Sequence, residues 1–236
     1  MNNLTKDTWN KEDLSIFEDD LYSLRKEDKI QFTKNVVNTK MNVLAISLKD
    51  LKKYAGDIYK GNYCSYLDLM AHRYFESTIT DAFVISRIKD FNLQKKYILK
   101  LSKYIDNWST VDTLKFNIKG QEQKYLDFSK ELLTSSKVFN RRIGIRILFS
   151  FTKDPNYTDN ILEILKTMDN EEEYYVNMAC SWLLCELVIK QRDKAIDFIK
   201  SNRNNKFMIN KAISKCSDSF RVSETDKTLL KKYRIS

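Results

Sequence analysis

The sequence predicts an all-α protein, a HEAT-like or armadillo-like solenoid of helical repeats, and three observations carry that expectation. Only four glycines and one proline punctuate 236 residues, too few for the many turns of a β-rich fold. Apolar residues recur at i, i+3, i+4 and i+7 in block after block. The breaks between blocks are short and polar, as in Lys153-Asp154-Pro155-Asn156 and Ser201-Asn202-Arg203-Asn204-Asn205. Paired helices spaced at about 40 residues per pair would give about five or six repeats. No repeating motif is strong at the residue level, so an irregular helical bundle remains the other reading.

In chain order, Leu14, Phe17, Leu21 and Leu24 form one amphipathic block, and Leu48, Leu51, Tyr54, Ala55 and Ile58 form a second. Ser47-x-x-Asp50 reads as the capping box that starts the second. Asn107 to Asp112 then places Trp108 and Asp112 at i and i+4, one above the other on a helix. Phe139 to Arg146 puts Arg142 and Arg146 on one face, a like-charge stacking that an anion opposite would relieve. Tyr157, Ile161, Ile164, Leu165 and Met168 make a further block. Asp169, Glu171, Glu172 and Glu173 follow, where the dipole of the next helix, Tyr174 to Leu183, favours negative charge. Ser223-x-x-Asp226 reads as a last capping box.

A chain of this length buries a sizeable core without staples, and one domain over residues 1–236 is the expectation. No stretch approaches the ~18 uninterrupted apolar residues of a membrane span, and Met1 to Asp7 has no signal-peptide pattern, so a cytoplasmic protein without a membrane partner is expected. Cys64, Cys180, Cys185 and Cys216 are scattered with no C-x-x-C pair and read as reduced thiols. His72 is the single histidine. A His-based metal site or a Ser-His-Asp triad therefore has almost nothing to be built from, and neither metal nor cofactor is expected. The 41 Lys and Arg exceed the 32 Asp and Glu by 9, a balance that favours a polyanionic partner, nucleic acid first. Lys96, Lys100 and Lys103 share one helical face and are candidates for phosphate contact, as are Arg141, Arg142 and Arg146.

Taken together and in order, three segments resemble the HEAT-like-repeat DNA alkylation repair proteins, the bacterial AlkD-type alkylpurine DNA glycosylases. They are Trp108 with Asp112, Phe139 with Arg142, and the Tyr174-Tyr175 pair with Trp182. Lys211 to Lys215 and Arg221 to Ser223 are similar to that family's last repeat, so the likeness runs from about residue 30 to the C-terminus. The chain departs from the family near its start. Where active members commonly read Gly-Ile-x-x-Pro-x-x-Arg, it has Ala45-Ile46-Ser47-Leu48-Lys49-Asp50-Leu51-Lys52, and the preceding Phe32 to Lys40 is short and polar.

The resemblance implies that Trp108, Asp112, Arg142 and Trp182 line one concave cleft, and that a monomer binds duplex DNA carrying alkylated purines. It implies release of cationic N3- or N7-alkylpurines, which leave as neutral bases without a general acid. Asp112 would stabilise the oxocarbenium character on the deoxyribose, Trp108 and Trp182 would supply aromatic faces, and Arg142 would hold a backbone phosphate. Two other readings stay open. A non-catalytic relative that binds damaged, bent or branched DNA is favoured by the altered segment from Ala45 to Lys52. A protein-binding HEAT scaffold would predict neither the basic surface nor the Trp-Asp-Arg-Trp cluster.

Overall fold

A computed structural model describes residues 3–70 and 72–236. Among them, fourteen α-helices follow one another and no strand forms, the one extended pairing being an isolated bridge between Asn42 and Tyr74. The chain packs as two compact units, Met1–Gln121 and Glu122–Ser236.

The first unit contains α1 (Lys11–Ser23), α2 (Glu27–Val37), α3 (Leu48–Lys60), α4 (Tyr63–Leu69), α5 (Phe75–Ile85), α6 (Phe91–Leu101) and α7 (Trp108–Thr113). Helices α3, α5 and α7 pack side by side in one row. The central α5 buries ten of its eleven residues, since most are apolar or small and its two carboxylates, Glu76 and Asp81, are hydrogen-bonded. Its Thr78 hydroxyl meets that of Thr110 on α7 at 2.8 Å. Helices α4 and α6 form a second row, α4 on α3 and α6 on α5. Helix α1 reaches α4 through an edge-to-face cluster in which Trp9, Phe17 and Tyr66 lie 5.0–6.1 Å apart. Helix α2 is the exception, burying only Val37 and ending at Asn38 in the left-handed conformation (φ 54°).

The second unit contains α8 (Glu122–Leu133), α9 (Val138–Leu148), α10 (Thr158–Thr167), α11 (Tyr174–Lys190), α12 (Arg192–Ser201), α13 (Lys206–Asp218) and α14 (Glu224–Lys231). Here α9, α11 and α13 make one row, while α8 backs α9 and α10 packs on α12 behind them. Alternate helices thus share a row in both units, which is the two-helix repeat pattern that the spacing predicted. The pairing of α8 with α9 depends on Gly144. A Cβ there would sit 2.9 Å from the Ser129 carbonyl oxygen, and the Ser129 hydroxyl donates to the Gly144 carbonyl at 2.8 Å. The core is filled by large side chains such as Tyr97, Tyr125, Phe128 and Phe151, each contributing on the order of 1.5–3 kcal/mol by burial.

The apolar blocks read from the sequence fall on α1, α3 and α10. Ser47 and Ser223 cap α3 and α14 by accepting from the amides of Asp50 and Asp226 at 3.2 and 3.1 Å. All four cysteines are free, and all but Cys64 are buried. Among the described residues no helix is long and apolar enough to cross a membrane.

Candidate functional site

Helix α7 is short, and its start is fixed by Asn107, whose side-chain oxygen accepts from the Thr110 amide at 2.9 Å. That cap is the reason a six-residue helix persists, since it satisfies one of the amides a helix leaves orphaned at its N-terminus. Trp108 is the first helical residue, and its indole Nε1 donates to the Val36 carbonyl at 3.2 Å, which lies in the last turn of α2. Nearby, the Asp106 carboxylate accepts from the Thr39 hydroxyl at 2.7 Å and the Lys40 amide at 2.8 Å. The end of α2 is therefore tied to the start of α7 at three points. Asp112 follows Trp108 by one turn and is half-buried. The structure thus sets the predicted indole and carboxylate on successive turns of one helix.

In the second unit the three predicted arginines have three different surroundings. Arg141 pairs with Glu171 through Nε and Nη2, at 2.7 and 3.0 Å. Burial alone would raise the Glu171 carboxyl, but the Arg141 guanidinium and the Glu173 amide bring it below its ordinary value. Arg142 is 4% exposed, and its Nη1 donates to the Tyr175 carbonyl at 2.5 Å. That bond ties it to the first turn of α11. Arg146 lies over the Phe149 ring at 5.1 Å. Phe149 meets Trp182 edge to face at 5.7 Å, and Lys215 lies 5.5 Å above the Trp182 ring. Trp182 is 42% exposed. Along the row of α9, α11 and α13, Arg146 and Lys215 therefore flank the paired rings of Phe149 and Trp182.

The model of the DNA alkylation repair enzyme family matches residues 17–216, a stretch that contains Trp108, Asp112, Arg142 and Trp182. The chain belongs to that family. Its role is accordingly one in DNA repair, with DNA as the partner. No curated protein and no solved structure matches it.

The lysine ladder of this family member serves its own second row of helices. Lys100 donates to the carbonyls of Leu67 and Asp68 at 3.0 and 2.6 Å, closing the C-terminus of α4, and Lys96 pairs with Asp68 at 3.2 Å. Lys103, just past α6, is exposed. Equal spacing on a helix therefore did not translate into equal availability, because the side chains lean toward α4.

The segment that departs from the family's pattern keeps a conformation suited to glycine. Ala45 has φ 59°, and its amide and that of Leu44 donate to the Glu76 carboxylate at 2.7 and 3.0 Å. Burial raises the Glu76 pKa above its ordinary value, with those amides acting against the rise. Among the described residues no group of three or more His, Cys, Asp or Glu side chains is placed to hold a metal. The sequence reading missed Phe149 as a neighbour of Trp182 and missed the tie from Trp108 to Val36. The spacing from Arg146 to Phe149, i to i+3, was the one local signal for the first, and nothing local signalled the second.

Proposed function

We propose that this chain is a DNA glycosylase that hydrolyses the N-glycosidic bond of N3- or N7-alkylated purines in duplex DNA. The observation that carries the reading is Asp112, a half-buried carboxylate one turn beyond Trp108 on a capped helix, within the stretch that matches DNA alkylation repair enzymes. An alkylated purine is already cationic, so cleavage of its bond to C1′ sends the electron pair to the base, which departs neutral. Positive charge develops on the deoxyribose, and water then adds to C1′ and releases a proton. A fixed carboxylate stabilises that charge as it forms. Asp112 has this role in our reading and also orients the water.

Trp108, one turn before Asp112, supplies an aromatic face that attracts the sugar cation and excludes solvent, and Trp182 offers a second aromatic face to the DNA. Arg146 and Lys215, on the ringed surface of the second unit, contact backbone phosphate. Arg142, buried with its Nη1 on the Tyr175 carbonyl, acts as a positioning residue by holding the start of α11. Arg141 is likewise committed to Glu171. The second reading, a relative that binds damaged DNA without excision, is favoured by the altered Ala45 to Lys52 segment. The left-handed backbone at Ala45 weakens that argument, because the loop retains a shape that glycine takes without strain.

The test is incubation with methylated duplex DNA and measurement of released bases. Asp112→Asn keeps size and removes charge, so release should fall by ~10² or more, with DNA binding unchanged or slightly tighter. Equal rates for the wild type and Asp112→Asn, including a rate of zero, would leave the binding-only relative as the better account.

A further inference from the structure

The N-terminal half of α13 and the segment that follows α14 border an open pocket of ≈ 490 Å³, lined by Lys206, Phe207, Asn210, Lys211, Ser214 and Arg234. Three of these six are cations and none is an acid. The walls are built rather than incidental. Asn210 is bonded both ways to the Ile235 backbone, with both contacts at 2.9 Å. Arg203 donates to the Tyr233 carbonyl at 2.7 Å, and Arg234 to the Ser214 hydroxyl at 2.8 Å. Arg234 is thus strapped over α13, and it lies outside the stretch that matches the family. Among the described residues neither Lys206 nor Lys211 has an ion-pair partner. Lys211 stands 5.9 Å over the Phe207 ring, and Phe207 meets Tyr174, itself 55% exposed, edge to face at 5.9 Å.

We propose that this pocket is a subsite for the phosphodiester backbone of a DNA strand. The phosphate lies between Lys206, Lys211 and Arg234, and the adjoining sugar or base rests on Phe207 and Tyr174. The proposal rests on the DNA-binding part of the reading above and adds to it a contact remote from Asp112. The chemistry is that of sequence-independent strand binding, in which cations neutralise phosphates and aromatic rings receive the nucleosides. Lys215, one turn beyond Lys211 and ~6 Å farther along α13, carries the same alternation to Trp182. The strand would then run along α13 from the pocket to Trp182. The partial positive charge at the start of α13 acts in the same direction.

The experiment compares two variants of equal charge change. Lys206→Gln/Lys211→Gln alters the pocket, and Lys130→Gln/Lys166→Gln alters exposed positions on α8 and α10 behind it. Binding of an unmodified duplex is followed across salt concentrations for both and for the wild type. Acetylation of each lysine in the wild type is measured with and without the duplex. We expect the pocket variant to bind more weakly whatever the sequence, with the slope of log affinity against log salt reduced by ~1 to 2, while the other variant keeps the wild-type slope. The duplex should shield Lys206 and Lys211 and leave Lys130 and Lys166 reactive. Equal losses in both variants, or unshielded pocket lysines, would overturn the inference. Base release by the wild type is scored separately. Shielding and a slope change without release would count against excision and leave the subsite standing, whereas release with identical slopes would do the reverse.

Discussion

The first unit holds its candidate residues through bonds between side chains and backbone, whereas the second adds ion pairs of part-buried carboxylates to such bonds. In the first, Asn107 caps α7, Trp108 reaches the Val36 carbonyl, and Glu76 collects the amides of Leu44 and Ala45. In the second, Arg141 meets Glu171, and Glu186 lies between Arg221 and Lys190. On the row of α9, α11 and α13, Arg146 and Lys215 lie over the rings of Phe149 and Trp182. Arg141, Arg142 and Arg146 show what the difference teaches. They lie on one helix within two turns, yet Arg141 meets Glu171, Arg142 meets the Tyr175 carbonyl, and Arg146 lies over the Phe149 ring. Spacing on the helix groups the three arginines, but it does not distinguish their partners.

The largest effect expected from this comparison comes from Arg142. Its guanidinium is buried and donates to the Tyr175 carbonyl, and a hydrogen bond to a charged group contributes about 1.5–3 kcal/mol. Arg142→Ala should cost about that much in urea denaturation, more if the aliphatic stem leaves a cavity. It should leave the salt dependence of DNA binding nearly intact. Arg146→Ala should give a shallower salt slope. If Arg142→Ala flattened the slope and left stability alone, the assignment of Arg142 to the fold would be broken.

The helices were legible in the sequence wherever one face carried the signal. The blocks at Leu14 to Leu24, Leu48 to Ile58 and Tyr157 to Met168 became α1, α3 and α10, and Ser47 and Ser223 capped as their spacing implied. Trp108 and Asp112 were legible as a pair because both lie on one helix. What stayed hidden depends on partners far along the chain. Glu171, which takes Arg141, is 30 residues away, and Val36, which takes Trp108, is 72 away. Helix α2 gave a weak pattern for a physical reason, since it buries a single residue and so has little apolar face to display. The cationic pocket could not be seen because Arg234 joins Lys206 and Lys211 only when Asn210 clasps the Ile235 backbone.

Acid should separate the two units. In the second, burial raises the carboxyls of Glu171 and Glu186, but Arg141 for the first, and Arg221 with Lys190 for the second, bring both below their ordinary values. The Arg192 hydrogen bond lowers Asp226. Groups with depressed folded pKa values contribute stability that is complete above the unfolded pKa and is lost as pH falls through the folded one. Glu76 in the first unit is shifted upward by burial. Its contribution has the opposite sign, being favourable below the unfolded pKa and lost as pH rises through the raised value. On acidification below about pH 4, amide hydrogen exchange should therefore accelerate in α9 and α11 before it does in α3 and α5. Simultaneous loss in both units would mean that these carboxylates do not govern the acid transition.

The smallest effect tests whether the loop at Ala45 is held in shape by its partners at the cost of strain. An L-residue in the left-handed region carries a penalty of roughly 1–2 kcal/mol that glycine avoids. Glycine in turn loses more freedom on folding, a cost of about 0.4–1 kcal/mol. Ala45→Gly should therefore stabilise the chain by about 0.5–1 kcal/mol, read as a higher urea midpoint at an unchanged slope. Ala45→Val should destabilise it, because a branched Cβ crowds the same backbone further. Since the Glu76 carboxylate accepts from the Leu44 and Ala45 amides in either variant, the loop should keep its course, and Ala45→Gly should leave base release at the wild-type rate. A fall in the midpoint would show that φ 59° costs the chain nothing. A gain in base release would show that the alanine, and not the missing proline, is what sets this segment apart from active members of the family.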